Sequence, residues 1–358
     1  MVIYPVDFKD GLNRGIYDKM IGQGEAFQTM NYDVSYAFLE GKNGMILKNG
    51  RKKIFVRSFS SLSAKYTSLF SGLKSYCSSH HYDIFYVRHL IHTYSLRTFL
   101  KSIKPTLSRI IYEYPTLPYE KEWKKPLHKI LLIEDGLIKK MINDNIDLVV
   151  HYGGYKGYLP SVKISNGIRL KPKFSMELSN SDVFKMIAVG RWEYWHGLDR
   201  LIKGIASSNK KVELGIVGNG PAIKEYNTLV KSLNLNHKVK FHGPQFGNDL
   251  EELISVSHLG IGTLGLHRKR VDLDSSLKHR MYCSFGLPFV FAGRDDDFDN
   301  DLPFIFKGKD GDKGIDLDIL ISDYNSRIMK PKEIRNHARN YLTWEKRMEK
   351  VLEILDKT

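Results

Sequence analysis

Arg191 and His196 follow an apolar stretch, Met186-Ile187-Ala188-Val189, that ends in Gly190. A second apolar stretch, Val212 to Val217, ends in Gly218-Asn219-Gly220. An arginine grips two phosphate oxygens at once, and a histidine adds a cation whose charge depends on pH, with an unperturbed pKa of about 6.5. Glycine lets the backbone come close to a phosphate. These types, placed just past two apolar stretches, suit the binding of an anionic nucleotide. Further on, Asp274 or Ser275 is a natural N-cap, and Ser276, Leu277 and Lys278 then open a helical pattern. Free N–H groups and the positive dipole end at such a start favour a phosphate. Lys278 and Arg280 are alternative cations to His196.

The first part of the chain carries a second set. Gly15, Lys19 and Gln23 are four residues apart and share one helical face, with Arg14 beside them. Arg88 follows the apolar run Ile84–Val87. Glu113 ends the run from Arg109, and Tyr114-Pro115-Thr116-Leu117-Pro118-Tyr119-Glu120 follows it. Glu113 is the best-placed acid to contact a substrate hydroxyl or serve as a base. Asp135 and His151 are weaker candidates and read better as structural. Asp295-Asp296-Asp297 reads as a solvated charge run, and no Asp-x-Asp pattern points to a divalent metal.

Elements must position these groups. The segment Lys185–Gly220 reads as strand, loop, amphipathic helix from about Gly197, strand and loop. Leu198, Leu201, Ile202 and Ile205 form the helix's apolar side. Further strands are expected at Val34–Phe38, Lys53–Val56, Ile84–Val87, Arg109–Glu113, Leu148–His151, Val239–His242, Leu259–Gly262 and Pro288–Phe291. Helices are expected at Ile16–Met30, Ser60–Ser75, Leu96–Lys101, Leu127–Ile142, Pro221–Leu233, Asp249–Ser257 and Ser275–Phe285. One long amphipathic helix is expected over Pro331–Leu355, with Trp344 as a packing anchor. The chain's start lacks the usual opening strand in this reading. Strands alternating with helices imply α/β domains with parallel sheets, whose ligands lie beyond the strands' carboxyl ends.

The residues Val189-Gly190-Arg191, His196-Gly197-Leu198-Asp199 with Leu201-Ile202, and Gly218-Asn219-Gly220-Pro221 resemble the donor half of GT-B glycosyltransferases of the GT4 (group 1) type. Ser276-Leu277-Lys278 with Gly286-Leu287-Pro288 resembles a further element of the same family, while Trp195-His196-Gly197 and Glu113–Glu120 resemble the variants found in capsule and exopolysaccharide assembly. The resemblance implies two Rossmann-like domains facing each other across a cleft. Residues 1–170 would form the acceptor domain and 183–325 the nucleotide-sugar domain, while 331–358 would cross back to the first. It implies transfer of a hexose or deoxyhexose from a nucleoside diphosphate sugar to a polyprenyl-diphosphate-linked oligosaccharide, with retention of configuration and without a metal or other cofactor.

Residue roles follow from the same resemblance. Arg191, His196 and Glu113 would be catalytic. Gly15, Gly190, Gly218, Asn219, Gly220, His242, Gly243, Ser275, Ser276, Leu277 and Lys278 would meet the donor. Arg14, Lys19, Arg88 and Tyr114 would meet the acceptor. Four positions depart from the family pattern: Arg169 replaces the aspartate that follows Asn166-Gly167-Ile168, His196 replaces a lysine, Met281 replaces the glutamate that contacts ribose, and Leu273 stands where a further acid is usual. A methionine accepts hydrogen bonds only weakly. A non-catalytic subunit is therefore the main rival reading. A GT-B epimerase would need an acidic cluster that the matching region lacks.

Bulk properties agree. The 358 residues exceed one ordinary core, and 42% hydrophobic content can fill two. Cys77 and Cys283 make no disulfide framework or metal cluster and suit a reducing cytoplasm. No signal peptide or membrane-spanning run is evident. The net charge of +15 is uneven: residues 1–170 hold 25 basic and 14 acidic side chains, an excess of 11, against 4 for the rest. No nucleic-acid-binding signature accompanies it. The expected partners are the sugar nucleotide, the lipid-linked acceptor and an anionic membrane surface, with the protein cytoplasmic and peripheral on the inner membrane face.

Overall fold

The computed structural model describes residues 1–9, 13–57, 62–117, 126–171, 181–270, 273–299, 301–309 and 311–358. They form two compact units, one of Met1–Gly167 with Trp344–Thr358 and one of Ile168–Thr343.

Unit 1 is built on strands β1 (Val2–Asp7), β2 (Ser35–Glu40), β3 (Asn43–Lys48), β4 (Arg51–Arg57), β5 (Ile84–Arg88), β6 (Arg109–Tyr114), β7 (Leu148–His151) and β8 (Ser161–Lys163). They lie in the order β4-β3-β2-β1-β5-β6-β7-β8. Helices α1 (Arg14–Thr29), α2 (Leu62–Cys77), α3 (Tyr94–Ile103) and α4 (Pro126–Ile142) connect them. The central strands are apolar on both faces because both are covered. Phe85, Val87, Ile110 and Tyr112 pack under α2, α3 and α4. Tyr86, Ile111, Leu148 and Val150 pack on the other side under α1 and the chain's last helix.

Unit 2 is a six-stranded, fully parallel sheet in the order β11-β10-β9-β12-β13-β14. Its strands are β9 (Phe184–Val189), β10 (Val212–Val217), β11 (Val239–Gly243), β12 (Leu259–Ile261), β13 (Phe289–Phe291) and β14 (Ile305–Lys307). Helices α5 (Leu198–Ser207), α6 (Ile223–Ser232) and α9 (Leu317–Ser326) contribute to the core on one face. Helices α7 (Gly247–Ser255), α8 (Leu277–Phe285) and α10 (Pro331–Tyr341) contribute to the other. Strand order reverses between β9 and β12, the kind of point at which α/β sheets bind ligands. Helix α11 (Trp344–Leu355) returns to unit 1, where Trp344 is buried.

Four expectations change. An opening strand exists: β1 is paired to β2 and β5, and its register slips between Tyr4 and Asp7, where Pro5 has no N–H to give. The sheet of unit 1 is not wholly parallel, because β2-β3-β4 is an antiparallel meander. Its second turn is Asn49-Gly50, both at positive φ, the chemistry of a tight hairpin. Strands β8 and β14 and helix α9 are further elements beyond those expected. Finally, the long terminal helix is two helices. Leu342 accepts a hydrogen bond from the N–H of Ile168 at 2.8 Å, and Thr343 bridges to Ile168, which interrupts the helix where the chain changes unit.

Candidate active site

In unit 2 three strand ends are tied together by backbone. Gly190 N–H donates to Val217 O (3.1 Å), Trp192 N–H to Asn219 O (2.8 Å) and Gly218 N–H to Gly243 O (2.7 Å). Gly218 has φ +108, and a Cβ there would run into the Gly190 carbonyl; Gly220 has φ +151, and its Cβ would strike the Trp192 backbone. The two glycines were expected to admit a ligand closely. Their observed task is to let the β9 and β10 loops lie against each other. The side chain of Asn219 accepts the Gly220 N–H at 2.8 Å.

Trp192 is fully buried under this knot, its indole N–H donating to Val217 O at 3.0 Å. Lys278 reaches it from the start of α8, with Nζ 4.8 Å from the centre of a Trp192 ring. The same Nζ lies 3.6 Å from where a Gly190 Cβ would be, so it sits at the carboxyl end of β9. That Nζ is buried and makes no hydrogen bond among the described residues. Burial lowers its pKa to about 8, with nearby Asp274 opposing.

Arg191 is in the open. Its side chain is 57% exposed and touches Glu193 at 3.1 Å. His196 is not the cation that its position suggested. Its Nδ1 accepts the Glu193 N–H at 2.9 Å, and burial, then the charges of Lys278 and Lys269, push its pKa down to about 2. It is a neutral ring whose Nε2 carries the proton.

Helix α8 begins two residues later than expected, at Leu277, with Ser276 as an N-cap that makes no side-chain capping bond. Asp274 and Ser275 therefore precede the cap, and Leu277 and Lys278 occupy the first turn. Arg280 is unavailable as an alternative cation. It is buried and gripped bidentately by Asp295, at 2.8 Å on each arm, and also by Asp297. Asp295, expected in solvent, is thus the buried anchor of α8. Met281 packs among Phe and Leu side chains of the α8 core. His242 and Gly243 end β11. The imidazole is held to its neutral form by partial burial and then by Lys240, and Gly243, at φ +66, leaves open space beside it.

Unit 1 presents a closed counterpart. Glu113 is fully buried and ion-paired with Lys19 at 2.9 Å and Arg88 at 2.8 Å. It also accepts from Gln23 (2.8 Å) and the Tyr86 hydroxyl (2.6 Å). A carboxylate has about four lone-pair sites, and four donors fill them. Burial would raise the pKa, but Lys19, Arg88 and the two hydrogen bonds hold it down to about 2. Glu113 is therefore a fixed anion that orients its neighbours, not a free base.

The expected acceptor residues share this closure. Lys19 is committed to Glu113 and lies 4.0 Å from the Tyr152 ring centre. Arg88 is committed likewise. Tyr114 is buried, its hydroxyl 3.1 Å from His92 Nε2, and that ring's Nδ1 meets Asp135 at 2.8 Å. Asp135 is thereby structural. Arg14 and Gly15 stand exposed at the start of α1, Arg14 paired with Asp18 at 3.1 Å. Gly11, Leu12 and Pro118–Glu120 lie outside the described residues. A cavity of about 470 Å³, lined by Lys74, Cys77, His80 and Ser108 among others, opens at the starts of β5 and β6 and includes none of these residues. The residue that sequence reasoning undervalued is Trp192; a tryptophan two positions past a strand-ending glycine was the available signal.

The chain superposes on sucrose-phosphate synthase from Thermosynechococcus elongatus with a TM-score of 0.70 at 14% identity, covering 99% of this chain and 98% of that one. It matches HepE from Anabaena, solved with UDP, at TM-score 0.63 and 13% identity, covering 100% and 99%. The catalytic domain of starch synthase IV from Arabidopsis thaliana, bound to ADP and acarbose, gives 0.65 at 10% identity, covering 99% and 98%. The fold is that of GT-B proteins. Residues 172–261 match the family model of glycosyl transferases group 1. The chain thus has the GT-B fold, and about a quarter of it, within unit 2, is similar to glycosyl transferases group 1. No curated protein sequence matches the chain.

Proposed function

We propose that unit 2 binds a nucleoside diphosphate sugar at the carboxyl end of β9, with Arg191 and Lys278 holding the diphosphate. The observation that carries this reading is the buried Lys278 ammonium, without a hydrogen-bond partner among the described residues, beside Gly190 at the start of α8. Charge grows on the diphosphate as the glycosidic bond breaks, so fixed cations and helix N–H groups act on the transition state. Arg191, exposed and lightly held, supplies the second cation, and the neutral His196 offers an Nε2–H donor. These groups provide the stabilisation for which other enzymes use a divalent metal. Gly243 and the end of β11 offer backbone to the base. The UDP held by HepE and the ADP held by starch synthase IV support a nucleotide at such a site.

The product sugar is a hexose or deoxyhexose, transferred with retention to a polyprenyl-diphosphate-linked oligosaccharide of a bacterial surface polysaccharide, at the inner membrane face. The basic excess of residues 1–170 supports an anionic acceptor. In the retaining reaction the departing diphosphate helps deprotonate the acceptor hydroxyl, which agrees with Glu113 being saturated. The test is thermal stabilisation by a panel of UDP-, GDP- and dTDP-sugars, followed by turnover with a membrane lipid extract. No stabilisation at millimolar donor would sink the reading. A second reading, a non-catalytic subunit, is favoured by Met281 at the ribose position, and binding without release of nucleoside diphosphate would select it.

A further inference from the structure

Helix α4 has an apolar outer face. Ile133, Leu137 and Met141 are 69%, 62% and 43% exposed and stand four residues apart, hence in one row. Gly136 and Lys140 are exposed between them, and Asp144 ends the row. The opposite side, with Asp135, Ile138 and Ile142, is buried. Helices that cover a sheet normally turn polar residues outward, so three exposed aliphatic side chains in register call for an occupant. Just past the helix, the Asn143 side-chain amide donates to the Tyr158 hydroxyl at 3.0 Å. Tyr158 is 77% exposed, and Lys156 is exposed two residues before it.

We infer that this face docks on an anionic bilayer. Ile133, Leu137 and Met141 enter the acyl boundary, Tyr158 lies at headgroup depth, and Lys140 and Lys156 meet lipid phosphates. Charge favours this occupant over a second copy of the chain. Residues 1–170, which include this helix, carry a basic excess of 11, which repels a second copy and which an anionic surface neutralises. The inference rests on the lipid-linked acceptor reading for its purpose, and it names the element that would hold the protein at that acceptor.

The experiment is co-sedimentation of the full chain with phosphatidylglycerol vesicles and with phosphatidylcholine vesicles. The wild type should bind the anionic vesicles and release at high salt. The double variant Ile133→Glu, Leu137→Glu should bind at least tenfold less, as should Lys140→Glu, Lys156→Glu. Both should keep the wild-type melting temperature and nucleotide stabilisation; the milder Leu137→Asn, expected to weaken binding in the same direction, is used if the double variant melts early. A wild type that stays in solution, or variants that bind equally, would overturn the inference. So would a dimer in light scattering that the aliphatic variant splits without any vesicle binding. Nucleotide stabilisation that survives a failed vesicle test leaves the transferase reading standing, and the converse result separates the two the other way.

Discussion

The Nζ of Lys278 lies 4.8 Å from the centre of a Trp192 ring and makes no hydrogen bond among the described residues. A cation in that position rests on the face of an aromatic ring with Asp274 nearby, which compensates only part of its lost hydration. The folded protein thus carries a cost that a bound anion would remove. Lys278→Met should stabilise the protein at pH 7 by on the order of 2 kcal/mol and should abolish stabilisation by UDP, GDP or dTDP. The pH dependence has a definite sign. The folded pKa is lowered from 10.5 to about 8, so the unfolded chain binds more protons between those values. Stability contributed through Lys278 therefore rises between pH 8 and 10.5. Lys19, also lowered to about 8, adds a rise of the same sign, so the quantity to measure is the difference between wild type and variant in urea titrations across that range. A difference that does not change with pH would remove Lys278 from this account.

Nucleotide binding should take up protons. A diphosphate beside Lys278 favours its charged form, so at pH 8 to 9 part of the protein must gain a proton on binding, and affinity must fall as pH rises. Calorimetry in buffers of different ionisation enthalpy reads this uptake directly. Equal heats in all buffers at pH 8.5 would count against a diphosphate at Lys278.

Arg191 and His196 should separate by consequence. Arg191 is exposed and, among the described residues, pairs with Glu193, so Arg191→Ala should leave melting unchanged within about a degree and lower turnover at least a hundredfold, as removal of a transition-state donor does. His196 is neutral across the physiological range, so the rate profile should show no inflection near pH 6.5 that His196→Gln removes. A glutamine oxygen can accept the Glu193 N–H in place of Nδ1, and that variant should keep turnover within about tenfold. An inflection that vanishes with the substitution would show a charged His196 in the working site.

The ends of β9 and β10 were legible because both read as short apolar runs closed by glycine, and the switch point needed no more than the order of elements. Lys278 was legible as a position but not as the surviving cation. Choosing it over Arg280 required knowing that Asp295, fifteen residues further on, folds back to grip Arg280, and a run of three aspartates looks solvated in sequence. The saturation of Glu113 is hidden in the sequence for a similar reason. Its strand-end position was visible, but its donors come from α1 and β5, so the saturation of the carboxylate is a property of topology. The antiparallel meander was legible and missed, since Asn49-Gly50 between β-prone runs is a hairpin signal. The break at Leu342-Thr343 was not, because it depends on pairing with Ile168, more than 170 residues earlier in the chain.

Glu113→Gln should destabilise unit 1 without behaving as the loss of a base. The amide keeps the size of the side chain but removes the charge that Lys19 and Arg88 share, and it sets an N–H₂ against groups that all donate. Breaking a buried ion pair on one side leaves an uncompensated charge, and the cost is about 3–5 kcal/mol. The acid limb supplies the control. The folded pKa of Glu113 is depressed to about 2 from 4.5, so its contribution is fully present above pH 4.5 and is lost as pH falls toward 2. Wild type and variant should therefore converge in stability over that window while remaining far apart at pH 7. The remaining folded variant, assayed well below its melting temperature with saturating donor, should show no pH-dependent step of its own in turnover. Full stability at pH 7 together with a rate loss of a thousandfold would reverse the assignment and make Glu113 a catalytic base.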